Sequence, residues 1–366
     1  MRHVFSALLF LFLIANSNQA PAAGNESCSQ PVVFNHPPVN LDKIGWIVPL
    51  GSMSGNHVTP VDHQYYRAAH DNQIEVYSPA AGLVTTIERM GRWEEQRSDW
   101  RLIIRHTCSI ESIFIHIDEL TPKLAAGVAK TRRSARVRIP VSPGEIVGFY
   151  DHNVDYNVVD RDITIGLLNH KSFANAEPWK IHVQDPFVYF NQKLQRKMAA
   201  LSLRDQKPYG GKIDYDIEGR LIGMWFKEGT NGYAGAGPNR FAYHQGHLAI
   251  APHHLDPSYT VVSFGTFGKD TSGRQFGIRG KNLDPAAVGV HRKVKWELVN
   301  TRFYVNGKRW DRNSPAKGIE ARQGSTSYGT VVMELIEPGK LKMEVFVGKK
   351  ANKVSGFSGN EEFFVR

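Results

Sequence analysis

Cysteine is scarce in this chain, with 2 among 366 residues. At most one intrachain disulfide can form, and a multiply stapled scaffold is excluded. Beyond the N-terminus no stretch is apolar for long enough to cross a bilayer. No repeat recurs at a fixed period, which argues against a solenoid or propeller. Aromatic residues are missing from the most basic run, Lys130-Thr-Arg-Arg-Ser-Ala-Arg-Val-Arg138. That run lacks the stacking platform of a nucleic-acid groove and reads as a solvated loop and strand edge, where charge discourages edge pairing. No nucleic-acid partner is expected.

What is present begins with an export signal over residues 1–23. Arg2 and His3 precede an apolar run from Val4 to Ala15, and the small residues Ala20, Ala22 and Ala23 follow. A basic start, a short apolar run and a small-residue exit are the parts of a secretory signal. A soluble mature chain in the periplasm or outside the cell is the expectation. There Cys28 and Cys108, both beyond the cleavage point, are expected to pair. The formal net charge of +10 suits residence on anionic envelope polymers or lipid head groups.

The rest of the chain reads as mainly β. Residues 24–45, with Pro31, Pro37 and Pro38, suit an extended arm. Residues 46–185 carry short strands: Ile74–Tyr77, Leu83–Glu88, Arg101–His106, Ser112–Ile117, Val137–Val141, Glu145–Tyr150 and Val154–Val159. Over 186–212 the spacing of Phe187, Phe190, Leu194, Met198 and Leu201 predicts a helix over 186–203, started by Pro186, and Pro208-Tyr-Gly-Gly211 predicts a linker. Residues 213–366 return to strands and Gly-rich turns, among them Leu221–Phe226, Tyr259–Phe264, Thr330–Ile336 and Lys340–Phe346, as in a second β-barrel or sandwich domain.

Chemistry concentrates in His57-Val-Thr-Pro-Val-Asp62-His63, which follows two turn-forming glycines, Gly51 and Gly55. Further on stand Ser78-Pro-Ala-Ala-Gly82, Phe114-Ile-His116-Ile117 and Pro143-Gly-Glu-Ile-Val-Gly148. In this order the motifs resemble the lysostaphin-type (LytM-like) zinc metallopeptidases of peptidoglycan, over about residues 46–165. The resemblance implies a duplicated hybrid-motif β-domain. It also implies that His57 and Asp62 hold the metal and that His116 moves protons and stabilises an oxyanion.

Two departures stand out. His57 and Asp62 are one residue further apart than in the family pattern. The closing His-Leu-His is replaced by Asn153-Val-Asp155. Asp155 then takes the place of the last metal ligand. Alternation along a strand puts Asn153, Asp155 and Asn157 on one face. The resemblance makes zinc the first choice of divalent metal, but the resulting set of His57, Asp62 and Asp155 is rich in oxygen, holds zinc less selectively and leaves room for manganese or calcium. Asn153 exchanges no proton near neutral pH, and one missing acid–base partner typically costs ~10²–10⁴ in rate. His63 is expected to orient Asp62. His106 is expected to have no catalytic task.

In the second half, His244, His247, His253 and His254 read as exposed loop histidines. Trp225, Trp296, Tyr243 and Tyr259 suit either a carbohydrate groove or a packed core. The resulting expectation is an exported envelope protein that binds peptidoglycan or another envelope component without efficient cleavage, with a protein partner for the C-terminal domain as a further option. The alternative is an active metal-dependent endopeptidase that uses His57, Asp62, Asp155 and His116.

Overall fold

The computed structural model describes residues 32–70, 73–90, 98–128, 133–174, 176–235 and 240–366. The segment expected to be an export signal, and Cys28, lie outside the described residues. Cys108 is disulfide-bonded.

The chain is mainly β. In the first half the strands are β1 (Ile44–Val48), β2 (Gln64–Ala68), β3 (Ile74–Tyr77), β4 (Gly82–Arg89), β5 (Trp100–Arg105), β6 (Ile110–Ile117), β7 (Glu119–Leu120), β8 (Ser134–Val141), β9 (Ile146–Tyr150), β10 (Asn153–Asp160) and β11 (Val183–Gln184). One sheet runs β1-β2-β10-β6-β5-β4-β8, with β11 added to β10, and a small sheet runs β3-β9-β7. The basic strand β8, with Arg136 and Arg138, forms the edge. Lysine and arginine on an edge strand oppose pairing with another chain.

Strand β10 lies centrally between β2 and β6 and is almost wholly buried. Its period of two divides it cleanly. Val154, Tyr156 and Val158 enter the first core with Tyr66, Phe114 and Ile104. Val159, on the opposite face, joins Ile113, Phe173, Met224, Phe226 and Tyr233 in a second cluster. The sheet is therefore covered on one side by its own domain and on the other by residues from the second. The extended arm is also part of the structure from residue 32 onward, with Phe34 and Val39 fully buried in the first core.

The helix predicted over 186–203 is divided. Pro186–Tyr189 forms a 3₁₀ turn, and the α-helix covers only Gln192–Leu201. The reason is local. Phe190 is extended, and the Asn191 side chain accepts a hydrogen bond from the Leu194 amide at 3.1 Å, restarting the chain with an N-cap.

The second half contains β12 (Gly223–Lys227), β13 (His247–Pro252), β14 (Thr260–Phe264), β15 (Arg274–Gly280), β16 (Lys293–Val305), β17 (Lys308–Arg309), β18 (Ile319–Glu337), β19 (Lys340–Val347) and β20 (Glu362–Val365). Consecutive strands pair antiparallel, apart from the short β17. Pairing of β20 with β12 closes eight of them into an up-and-down barrel. Of the two predicted options this is the barrel, not the sandwich. Closure leaves no free edge within the ring. The interior is filled by Trp225, Trp296, Phe264, Phe276, Leu298 and Met333 among others, so Trp225 and Trp296 are core residues and line no groove.

The halves are joined by a third apolar cluster, in which Trp46, Val48 and Leu203 meet Leu255, Phe303 and Trp310. Polar contacts reinforce the joint. Gln275 exchanges two hydrogen bonds of 3.0 Å with the backbone of Gly55, and Arg204 donates to the His254 carbonyl at 2.7 Å.

Candidate functional site

The site lies on the face of the first sheet that meets the second domain. Asp155 on β10 is opposite Tyr65 on β2 and Ile115 on β6. Asp62 and His63 lie just before β2. Both carboxylates are buried, Asp62 6% and Asp155 3% exposed, so each requires compensation.

The imidazole of His63 supplies much of it, because the ring lies between the two acids. Its Nδ1 is 3.1 Å from Asp62 Oδ1, and its Nε2 is 3.1 Å from Asp155 Oδ2, the latter out of hydrogen-bond alignment. Burial acts to lower the His63 pKa, but Asp155 and Asp62 outweigh it and raise it above its ordinary value. Trp179 Nε1 donates to the other oxygen of Asp62 at 3.0 Å, and the ammonium of buried Lys180 lies 3.9 Å from Asp62 Oδ1. Burial alone would push Asp62 up. Lys180, His63 and Trp179 together hold its carboxyl well below the usual range. Lys180 also donates to Tyr233 at 3.2 Å and to Glu177 at 3.4 Å. Burial opposes its charge, but Asp62 and Glu177 overcome this and raise its pKa.

His116 reaches the same centre by a different device. Between β5 and β6 the register shifts by one residue, so β6 carries an extra residue near Ile115–His116, and His116 has φ +69°. Such a bulge re-aims a side chain next to a site. His116 Nε2 lies 3.5 Å from Asp155 Oδ2, while Nδ1 is 3.1 Å from Asp99 Oδ1. The Asp99 bond is the main cause of its raised pKa, with burial opposing and Asp155 adding to the rise. The ring is half exposed. Asn153 Nδ2 donates to Asp155 Oδ1 at 2.8 Å, as expected for neighbours on one strand face.

His57 is set apart. It contacts the ring of His63 edge-on at a centroid distance of 6.0 Å and presents an exposed face to solvent. Burial on its inner side, with His63 and Lys180 adding, lowers its pKa to about 4. It is therefore neutral where His63 is charged. A cavity of about 40 Å³ separates these groups, bounded by His57, Asp62, His63, Lys180, Tyr233 and Tyr243. That volume holds a water or two. Tyr233 and Tyr243 come from the second domain and form its roof.

Of the residues singled out from sequence, Asp62, Asp155 and His116 are joined in one chain through His63, and His57 flanks it. Among the described residues, no group of three His, Cys, Asp or Glu side chains is arranged to hold a metal ion. The ring of His63 lies between the two carboxylates, 3.1 Å from an oxygen of each. Lys180, Trp179 and Tyr233 were missed by sequence reading. Glu177-Pro-Trp-Lys180 carries no periodicity or motif, and Tyr233 is 171 positions from Asp62 by residue number.

The other histidines differ from expectation in part. His106 is bound to the Ala81 carbonyl at 3.0 Å and to Ser112 Oγ at 2.9 Å. The four of the second domain are all buried, not exposed. His247 and His244 bond the carbonyls of Tyr233 and Thr271, each at 3.0 Å, and His253 accepts from the Leu255 amide at 3.2 Å. Backbone partners and the apolar joint draw them inward. No known protein family matches this chain, and no curated protein matches it either.

Proposed function

We propose that this chain is an exported cell-envelope protein whose LytM-like first domain binds peptidoglycan or another envelope component without cleaving it. The observation that carries the reading is the closure of both buried carboxylates on His63, reinforced by Lys180. Two protein cations there do the electrostatic work that a divalent ion does in a metallopeptidase. A cation that is part of the chain is not a Lewis acid with an open position for water. The small roofed cavity also leaves no room for a peptide strand on the Asp62 side. The disulfide at Cys108 supports an oxidising compartment.

A second reading, an active metal-dependent endopeptidase using His57, Asp62, Asp155 and His116, draws support from one observation. His57 is neutral, the form in which an imidazole can ligate a metal.

The two readings separate in one preparation. Elemental analysis of chain purified without chelator is expected to find zinc far below one per molecule. Sedimentation with isolated peptidoglycan is expected to persist in chelator, with no release of cross-link fragments. Stoichiometric zinc, together with chelator-sensitive cleavage lost on His116→Ala, would establish the enzyme instead.

A further inference from the structure

A groove of about 670 Å³ opens between the two domains, on the far side of His57 from the small cavity. The first domain contributes Trp46, Tyr65 and Arg67 to it, and the barrel contributes Phe303, Trp310 and Arg312. Its size is that of a pocket for a ligand of several sugar or amino-acid units.

The charge of the lining is one-sided. Arg67 lies 5.7 Å from the Tyr65 ring centroid, and Arg312 lies 5.0 Å from that of Phe303. Neither guanidinium has a carboxylate partner among the described residues, and none of the residues lining the groove is acidic. Two acids next in sequence to groove residues, Asp256 beside Leu255 and Asp311 beside Arg312, are already engaged. Asp256 accepts from the Ser258 and Ala321 amides at 3.1 and 2.8 Å, and Asp311 accepts from the Asn313 amide and Ser314 hydroxyl, each at 2.8 Å. Arg312 is also held at φ +70°, a conformation that non-glycine residues rarely adopt and that gathers at ligand sites. His253 and His254, at the back of the groove, are kept neutral by burial. His253 accepts on Nδ1, so its proton lies on Nε2 and it is a donor without charge.

We infer that this groove binds a carboxylate-bearing ligand with an apolar or ring face, its acid recognised by Arg67 and Arg312 and its face by the flanking aromatic rings. A guanidinium matches a carboxylate in shape as well as charge. An acidic oligosaccharide and a peptide with a free C-terminal carboxylate share this chemistry. The inference deepens the binding role proposed above but does not depend on the state of the Asp62–His63–Asp155 centre.

The test is calorimetric titration of the full chain at low ionic strength with two acidic probes, a trigalacturonate and tetra-alanine with a free C-terminus. Each is paired with a neutral counterpart, a galactose trisaccharide and the tetra-alanine amide. At least one acid is expected to bind about tenfold or more tighter than its neutral counterpart, and the arm that binds identifies the source. Arg67→Gln and Arg312→Gln are each expected to weaken that binding about tenfold, while Lys349→Gln, away from the groove, leaves it unchanged. Arg67 is exposed, so its variant stays informative if Arg312→Gln folds poorly. Failure of both acids to bind, equal binding of acid and neutral probes, or wild-type affinity in Arg67→Gln would overturn the inference. Intact sedimentation with peptidoglycan beside such a failure would remove the groove and leave the binding role standing. Probe binding beside zinc-dependent cleavage would do the reverse.

Discussion

Removing the imidazole of His63 would leave Asp62 and Asp155 buried without the ring that now lies between them. Breaking a buried charge pair from one side typically costs ~3–5 kcal/mol, because the remaining charge is stranded. His63→Ala is expected to lose stability in that range in urea denaturation. His63→Ala combined with Asp155→Asn is expected to recover part of it, since one stranded charge is then gone. Equal losses in the single and double variants would show that the ring acts by packing and not by charge. The residue scale also explains why His63 looked subordinate in the sequence. Its adjacency to Asp62 suggested only an orienting role, and that contact is present. Its second contact, to Asp155, depends on β2 lying beside β10, which no local pattern announces.

At the scale of elements, short backbone segments set the geometry that the longer strands then hold. Gly211, in the linker, has φ +89°, and a Cβ there would come within 2.4 Å of the Leu50 carbonyl oxygen. Gly55 has φ +53° with open space around it. Gly211→Ala is therefore expected to cost more than the ~1–3 kcal/mol of backbone strain alone, and Gly55→Ala no more than that strain. Thermal melts of the two variants side by side check the ordering. The bulge that aims His116 is a comparable device. Sequence reading recognised β6 as a strand but not its extra residue, because a bulge is a relation between two strands and leaves no period in either. Strands β15 and β20 also went unread. Arg274–Gly280 is interrupted by Gly277, and Glu362–Val365 is four residues long. Neighbouring strands of the barrel hold both in place, and propensity contributes little.

For the whole molecule, buried histidines dominate the titration behaviour on the acid side. His247, His253 and His254 are 2%, 8% and 7% exposed and are held neutral by burial, the first two with pKa values lowered to about 3. The unfolded chain protonates them near pH 6.5. Between that pH and the lowered folded values, unfolding takes up protons, so stability falls as the solution is acidified. Each histidine contributes a slope of about 1.4 kcal/mol per pH unit in that window. His63 and His116 have raised values and act in the opposite sense. Their contribution is complete below pH 6.5 and is lost as pH rises through their folded values. Asp62, held low, contributes above its unfolded value near pH 4 and loses that contribution as pH falls further. Urea midpoints are expected to drop steeply from pH 6.5 toward 4 and more gently on the alkaline side. A flat acid limb would mean that the barrel histidines are accessible to protons in the native state.

Strand content was legible because it rests on local signals, alternation and turn residues, and Asp62, Asp155 and His116 stood out in short motifs that the fold then brings near one another. Even the shared face of Asn153 and Asp155 follows from the period of a strand. The partners that complete the centre were not legible. Lys180, Trp179, Tyr233 and the groove between Arg67 and Arg312 are brought together only by packing the barrel against the uncovered face of the first sheet. The choice of barrel over sandwich has the same origin, since it depends on β20 finding β12. Local periodicity encodes which way a side chain points. Which distant charge it then meets is settled by burial, because a carboxylate taken out of water requires a partner and the folded chain supplies whichever cation lies in reach.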